Sequence, residues 1–590
     1  MAFERIKSQS ERSIKTMPNK VGHLLRGRLT DIVLASLLFF GSFISVVWTS
    51  DDMGVTYDEA IYAGCALRFL QWLNMTLQSI KHGDFVSPFK YETIQAYWHA
   101  KDMHPPFPKM LTAMTYLLFG NIMPAGLAPL RSSTALMFAA LIVAVYIWLL
   151  RYFGRTAAIY GALALLTMPR VFAHAHFVTL DVPVASATFI ATILMANAVE
   201  HKSKMLTAFG ALALGIAFSC KMNALLAPFG LLTFFLIDRL LSSRHMGERT
   251  EANAKLLRAI FVTAVSTAFA FAFLLLTWLW LWYETPKRLA SYILFHGKHF
   301  PVHTFYLGKM HAYAPWHYPL VMTAVTTPAL TLLMALAGTA ITIVRWQSTP
   351  MLARVALINY IIHIAPFCLP QTPKYNCVRL FMPAIPFLIV LASFAFHKLE
   401  MIASKLLARV HPYINVRPKI ISLSLIVIFI APSLNSLLRI HPFELSYYNA
   451  LVGGTRGAVY RWGFESTYWG VNIVQLLPFL NEQRDGSLVF IIPVGLHAYM
   501  DLYIRFGWLK PTLRFTSKIE DLPKADFAMF QGSQTEIYDN PITWFLWLKC
   551  KPAHAAVYDG VPIAAVYDAN AIRIALKWGA KRTQLPHKND

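Results

Sequence analysis

Charged side chains beside long apolar runs are where this chain can do chemistry. Holding charge near a membrane carries a desolvation cost that is tolerated for pairing or function. The first such group is Asp58 and Glu59, in Val55-Thr-Tyr57-Asp-Glu-Ala-Ile-Tyr. An adjacent acidic pair also reads as an ordinary helix cap. His104 is more informative, because Pro105 and Pro106 follow it, fixing the backbone and presenting the imidazole rigidly. Asp181 stands in Leu180-Asp-Val-Pro183 at the start of an apolar run, where a carboxylate can cap a helix, ligate a metal or hold sugar hydroxyls. His174 and His176 have no matching metal-ligand set and read as solvated interfacial residues.

Two further segments concentrate cations. Phe295-His-Gly-Lys-His299-Phe-Pro-Val-His, then Tyr306-Leu-Gly-Lys309-Met-His and Ala314-Pro-Trp-His-Tyr-Pro, mix histidine, lysine and aromatic residues. Cations attract phosphate, and aromatic faces suit sugar rings; an aromatic belt at a lipid interface has the same composition. Gln371-Thr-Pro-Lys374-Tyr-Asn-Cys-Val-Arg379 puts two cations at a helix mouth. Snorkelling explains one of them, and the second asks for another reason.

The elements that must position these residues follow from composition. Of 590 residues, 56% are hydrophobic and 14% charged, against about 25% charged in ordinary soluble domains. That excludes a disordered or collagenous chain and speaks against a soluble enzyme. Apolar runs of spanning length fall near 31–50, 128–150, 156–172, 182–199, 205–220, 222–238, 258–283, 317–344, 354–370, 379–397 and 419–439. About eleven transmembrane helices are therefore expected, the first an uncleaved signal anchor. The run 107–119 is too short to span and is expected to be interfacial or re-entrant.

Lysine and arginine gather in alternate loops, including Arg151/Arg155, Lys202/Lys204 and Lys398/Lys405. By the positive-inside rule, residues 1–30 form a cytoplasmic basic N-terminus, 31–439 the transmembrane domain, and 440–590 an extracytoplasmic domain. The outer loops 51–106, 172–182, 284–316 and 371–378 then carry the candidate residues. The tail contains short β-rich runs at Ser487-Leu-Val-Phe-Ile-Ile-Pro and Ala525-Asp-Phe-Ala-Met-Phe, with a hairpin over 555–567, so a small α/β domain is expected. The net charge of +23 orients the helices and meets anionic membrane lipids; it is not a nucleic-acid footprint. Five scattered cysteines make neither a disulfide scaffold nor a zinc site and read as free core thiols.

The acidic pair, His104-Pro-Pro, Leu180-Asp-Val-Pro and Pro315-Trp-His-Tyr-Pro, in this order on one membrane face, resemble the C-type glycosyltransferases. The similar branch contains the protein O-mannosyltransferases and the lipid A aminoarabinose transferase. The tail segments beginning His441-Pro-Phe-Glu and Gly463-Phe-Glu-Ser resemble its bacterial inner-membrane members. The resemblance implies a polyprenyl-phosphate monosaccharide donor, a protein, lipid or glycan acceptor, and inversion. It further implies that Asp58 is the general base and that Glu59 orients the acceptor or the base. His104 and Asp181 take substrate-contacting positions. Arg379, with Lys374 and Lys309, holds the leaving phosphate, and Tyr57 and His299 belong to the substrate-binding set. A lipid-borne donor accounts for the lack of a G-x-G-x-x-G or P-loop.

Phe107 departs from the smaller aliphatic residue that relatives often carry after His-Pro-Pro, and the tail has no β-trefoil signal. No cofactor is certain. A divalent metal stays open with Asp181 the weak candidate ligand. The alternative is a polyprenyl-lipid flippase or transporter, for which polar residues within spans would be expected; Lys221 is the nearest instance, and the topology puts it at an outer mouth too. A receptor or scaffold is the third reading.

Overall fold

The computed structural model describes residues 28–98, 104–124, 126–241, 246–298, 300–410, 418–492 and 497–583. Each of the eleven apolar runs is helical. Eight are long, apolar helices able to cross a bilayer: Arg28–Asp52, Ala128–Phe153, Asp181–His201, Met222–Leu240, Arg249–Thr277, Met351–Cys368, Arg379–Leu407 and Lys419–Ile440. The protein is thus a polytopic helical membrane protein. The other three runs are modified. Arg155–Leu166 and Pro169–His176 bend by 65° at their junction, because Pro169 removes a donor and pushes Met168 into the extended region. Pro328 likewise divides the run 317–344 into Tyr318–Thr326 and Ala329–Val344. Lys204–Phe218 has 15 residues, which at 1.5 Å each is about 23 Å, short of a bilayer core.

Burial orders the bundle. In Asp181–His201 and Arg379–Leu407, 89% of the spanning window is buried, whereas the first helix has only 11% buried. A helix apolar all round belongs in the centre, and these two central helices carry Asp181 and Arg379 at their first residues.

The stretch 51–106 is more ordered than a loop. A 25-residue helix, Tyr57–Lys81, opens with a capping box: Glu59 N donates to Thr56 Oγ1 at 3.1 Å, and Thr56 N donates to Glu59 Oε2 at 3.3 Å. The Thr-x-x-Glu spacing is the local signal for this start. The run at 107–119 forms the helix Phe107–Phe119.

A first hairpin pairs β1 (Thr304–Tyr306) with β2 (Lys309–His311). The tail forms the expected α/β unit, a five-stranded sheet of β3 (Leu488–Ile492), β4 (Arg514–Thr516), β5 (Phe527–Gln531), β6 (His554–Tyr558) and β7 (Val561–Asp568). The order is β4-β3-β5-β7-β6, with β3 parallel to both neighbours and β7 antiparallel to both of its own. The β6–β7 hairpin turns at Asp559-Gly560, whose φ values of 50° and 72° suit a tight two-residue turn.

This domain is keyed onto the helices. Val55 N donates to the Tyr503 hydroxyl at 2.8 Å, and Tyr57 N to the Trp469 carbonyl at 3.3 Å. Buried Arg170 donates to the Tyr447 carbonyl at 2.9 Å and lies over the rings of Tyr448 and Tyr468. His174 and His176, expected in solvent, are fully buried instead. The bent helix turns them inward, where His174 hydrogen-bonds Tyr468 and His176 is held by Thr49 and the Phe172 carbonyl. The five cysteines are free, as expected, and three are buried.

Candidate active site

Between the helix mouths and the sheet domain lies a cavity of about 1010 Å³, at the upper end of the range for small-molecule sites. Its lining includes the apolar residues Met222, Leu226, Phe300 and Phe367. It also combines the polar residues Asp58, His104, Lys221 and Arg379 from the membrane region with Glu465, Tyr499 and Glu536 from the tail.

Arg379 is the centre of the polar lining. Its guanidinium pairs with the Asp58 carboxylate, donates through Nε to Asp181 Oδ2 at 3.0 Å, and stacks on the Trp469 ring at 4.2 Å. The other oxygen of Asp181 accepts from Lys221 Nζ at 2.7 Å. Asp181 is 1% exposed and makes no side-chain cap, so its carboxylate serves to bring two cations together. Asp58 and Asp181 together balance Arg379 and Lys221, so the cluster is neutral overall, and an anion that takes the place of Asp58 on Arg379 keeps both cations paired.

His104 lines the same wall, its ring 5.0 Å from that of His296. Burial, and then the charge of Lys221, hold it well below the usual histidine range, so it is neutral. Lys109 donates to the His104 carbonyl at 2.9 Å and fixes this turn. Glu465 accepts from Ser533 Oγ at 2.8 Å and Thr535 N at 3.1 Å. Burial raises Glu465, and burial plus the nearby Glu465 push Glu536 up to about 8.

Of the residues singled out in the sequence, Tyr57, Asp58, His104 and Arg379 face the cavity and Asp181 lies directly behind it. Three others are elsewhere. Glu59 points into the bundle, where Arg131 donates to both of its oxygens at 2.8 and 2.7 Å and Val178 N adds a third bond at 3.0 Å. Its role is to tie the loop to the helices. Lys374 is buried but donates to the carbonyls of Leu369 and Thr372, closing its own loop. Lys309 stands exposed on β2, outside the cavity wall. His299 lies outside the described residues. Among the described residues no group of three His, Cys, Asp or Glu side chains could hold a metal, and Asp181 is occupied by its two cations.

Lys221, Trp469, Tyr499, Glu465 and Glu536 join the site from outside that set. Lys221 carried a usable signal, a cation at an outer helix mouth. Glu465 and Trp469 sit in the tail segment already noted for resemblance, while Tyr499 and Glu536 lie in no motif.

Residues 103–278 match the family model for dolichyl-phosphate-mannose-protein mannosyltransferase. That segment contains His104, Asp181 and Lys221. No curated protein matches the chain. Among solved structures, the ArnT of Cupriavidus metallidurans is similar at 17% identity in its apo state, covering 93% of this chain and 99% of that one, with a TM-score of 0.45. Its complex with undecaprenyl phosphate gives 16% identity, 92% and 98% coverage, and a TM-score of 0.43. The apo Archaeoglobus fulgidus oligosaccharyltransferase gives 11% identity, 82% and 64% coverage, and a TM-score of 0.46.

Proposed function

We propose that this protein is a membrane glycosyltransferase that moves a monosaccharide from a polyprenyl phosphate to an acceptor hydroxyl on the extracytoplasmic face, with inversion. The observation that carries the reading is a carboxylate, Asp58, beside two clustered cations, Arg379 and Lys221, in a cavity that apolar residues also line. The match of residues 103–278 to a mannosyltransferase family supports it and favours mannose as the first sugar to try.

The chemistry follows from that layout. The apolar lining residues take the first isoprene units, and Arg379 and Lys221 take the phosphate. Asp58 accepts the proton of the acceptor hydroxyl as its oxygen bonds to the anomeric carbon. The bond from that carbon to the phosphate oxygen breaks, its electron pair leaves on the phosphate, and a diester monoanion becomes a monoester dianion. Fixed cations in a partly dry site act strongly on that new charge, and a positioned base contributes about 10²–10⁴ in rate. Neutral His104 lies beside the cations as a hydrogen-bonding group for the phosphate or its neighbours.

The charge pattern of the loops supports a cytoplasmic N-terminus and an extracytoplasmic tail, and the resemblance of the tail segments favours a bacterial inner membrane. The test is purified protein in lipid nanodiscs with synthetic polyprenyl-phosphate mannose and candidate protein, lipid and glycan acceptors. Transfer that Asp58→Asn slows about 10²–10⁴-fold while lipid binding persists is the expected result. Full activity in Asp58→Asn would remove Asp58 as the base, and counter-flow of lipid without product would support a transporter instead.

A further inference from the structure

Three polar atoms on the tail side of the cavity are buried without a hydrogen-bond partner among the described residues: the Tyr499 hydroxyl, Glu536 Oε2 and the Trp469 indole nitrogen. Buried polar groups are nearly always paired, so three orphans on one wall point to a ligand rich in hydroxyl groups. Tyr499 is fully buried. Its seat is made by Gly470, at φ 84°, where an added Cβ would come within 2.5 Å of the tyrosine ring. Trp469 holds φ 77°, an uncommon conformation for a bulky residue that persists only where its surroundings impose it.

The three residues stand between two parts of the site. Trp469 covers the Arg379 guanidinium, and the Tyr499 ring lies 6.3 Å from that of Tyr57, the neighbour of Asp58. The wall thus begins at the phosphate cations and reaches the base. A sugar bonded directly to the phosphate is the part of the donor that fills this stretch. We propose that Tyr499, Glu536 and Trp469 form the subsite for the hydroxyl groups of the transferred sugar, with Glu536 serving as a neutral hydrogen-bond donor.

The inference rests on the glycosyl-transfer reading and adds the tail domain as the source of sugar recognition. Glu536 is suited to the donor role by its surroundings. Its neighbour Glu465 already accepts from Ser533 and Thr535, and Glu536 Oε2 has no hydrogen-bond partner among the described residues. Two carboxyls in one dry wall favour one shared proton, and the carboxyl that lacks donors keeps it. A protonated carboxyl donates to a hydroxyl oxygen, and the tyrosine hydroxyl can donate or accept.

The experiment compares binding of polyprenyl phosphate with that of polyprenyl phosphate carrying mannose, glucose or galactose, in nanodiscs holding the full chain. Wild type should bind at least one sugar-bearing lipid more tightly than the bare one. Glu536→Ala and Tyr499→Phe should each remove about tenfold of that gain while binding the bare lipid as wild type does. Glu536→Gln, which keeps an N–H donor, should retain most of it, and it also serves if the alanine variant melts early. The subsite is overturned if Glu536→Ala and Tyr499→Phe keep the whole gain, if they weaken both lipids equally, or if Glu536→Gln is as damaging as alanine. The last result would mean a charged carboxylate and a cationic sugar. Failure of wild type to bind either lipid would instead remove the glycosyl-transfer reading.

Discussion

Asp58 and Arg379, separated by 321 residues of chain, meet as an ion pair in the wall of the cavity. A base and a leaving-group cation that act on opposite faces of an anomeric carbon cannot stay in contact through the transfer. A phosphate arriving at Arg379 must therefore take the guanidinium from Asp58, which frees the carboxylate to accept a proton. Asp58→Asn removes the competitor along with the base. Turnover is expected to fall about 10²–10⁴-fold, while the Kd for polyprenyl phosphate falls as well. Weaker lipid binding in this variant would show that Asp58 does not compete for Arg379.

Asp181 is expected to act through the cations it holds. Neutralising it leaves Arg379 and Lys221 facing each other without their shared counter-charge. Removing one partner of a buried ion pair typically costs about 3–5 kcal/mol. Asp181→Asn should lower the melting temperature and raise KM for the donor, because the two cations no longer converge. Measured on folded protein, a wild-type KM would show that each cation is placed independently.

Glu59 should behave differently from its neighbour Asp58. It is buried against Arg131, which also donates to the carbonyls of Met53 and Gly54 at 2.9 and 2.6 Å. Glu59→Gln is expected to destabilise by about 3–5 kcal/mol. Lipid phosphate affinity per folded molecule should stay at its wild-type value. A loss of lipid affinity without a change in melting would place Glu59 in the site after all.

The contrast between Asp58 and Glu59 shows where sequence reading succeeds and where it stops. Of eleven apolar runs expected to span, eight form helices long enough to cross a bilayer, because a bilayer core demands some 20 apolar residues, a strong and local requirement; prolines break two of the others and the third is short. Asp58, His104 and Arg379 stand out because charge and rigid imidazole at an outer mouth need a reason. Adjacent residues on a helix point about 100° apart, so the pair alone cannot say which carboxylate reaches the cavity. The capping box at Thr56 was the available clue that Glu59 is structural. Lys221, Lys309 and Lys374 look alike in sequence, and only the local turns decide that Lys221 meets Asp181 while Lys374 closes its own loop. Tyr499 and Glu536 reach the cavity through docking of a whole domain, for which no short-range pattern exists.

His441 provides a pH test of that docking. Its Nδ1 donates to Glu444 at 2.6 Å and its Nε2 to Asp52 at 3.1 Å, which joins the end of the first helix to the start of the tail. Both ring nitrogens donate to carboxylates, so the imidazole is charged. Burial pulls its pKa down, but the hydrogen bonds and charges of Glu444 and Asp52 outweigh that and raise it to about 9, from an ordinary 6.5. A raised folded-state value means that stability is fully present below pH 6.5 and is lost as the pH rises through 9. Glu536, raised to about 8, adds a loss in the same direction, so wild type alone cannot isolate the histidine. The melting temperature of His441→Gln should therefore be subtracted from that of wild type at each pH. The difference is expected to be largest near pH 6, to shrink steadily toward pH 9.5, and to approach zero above it. A difference that stays constant across this range would show that His441 contributes packing alone and carries no charge in the folded protein.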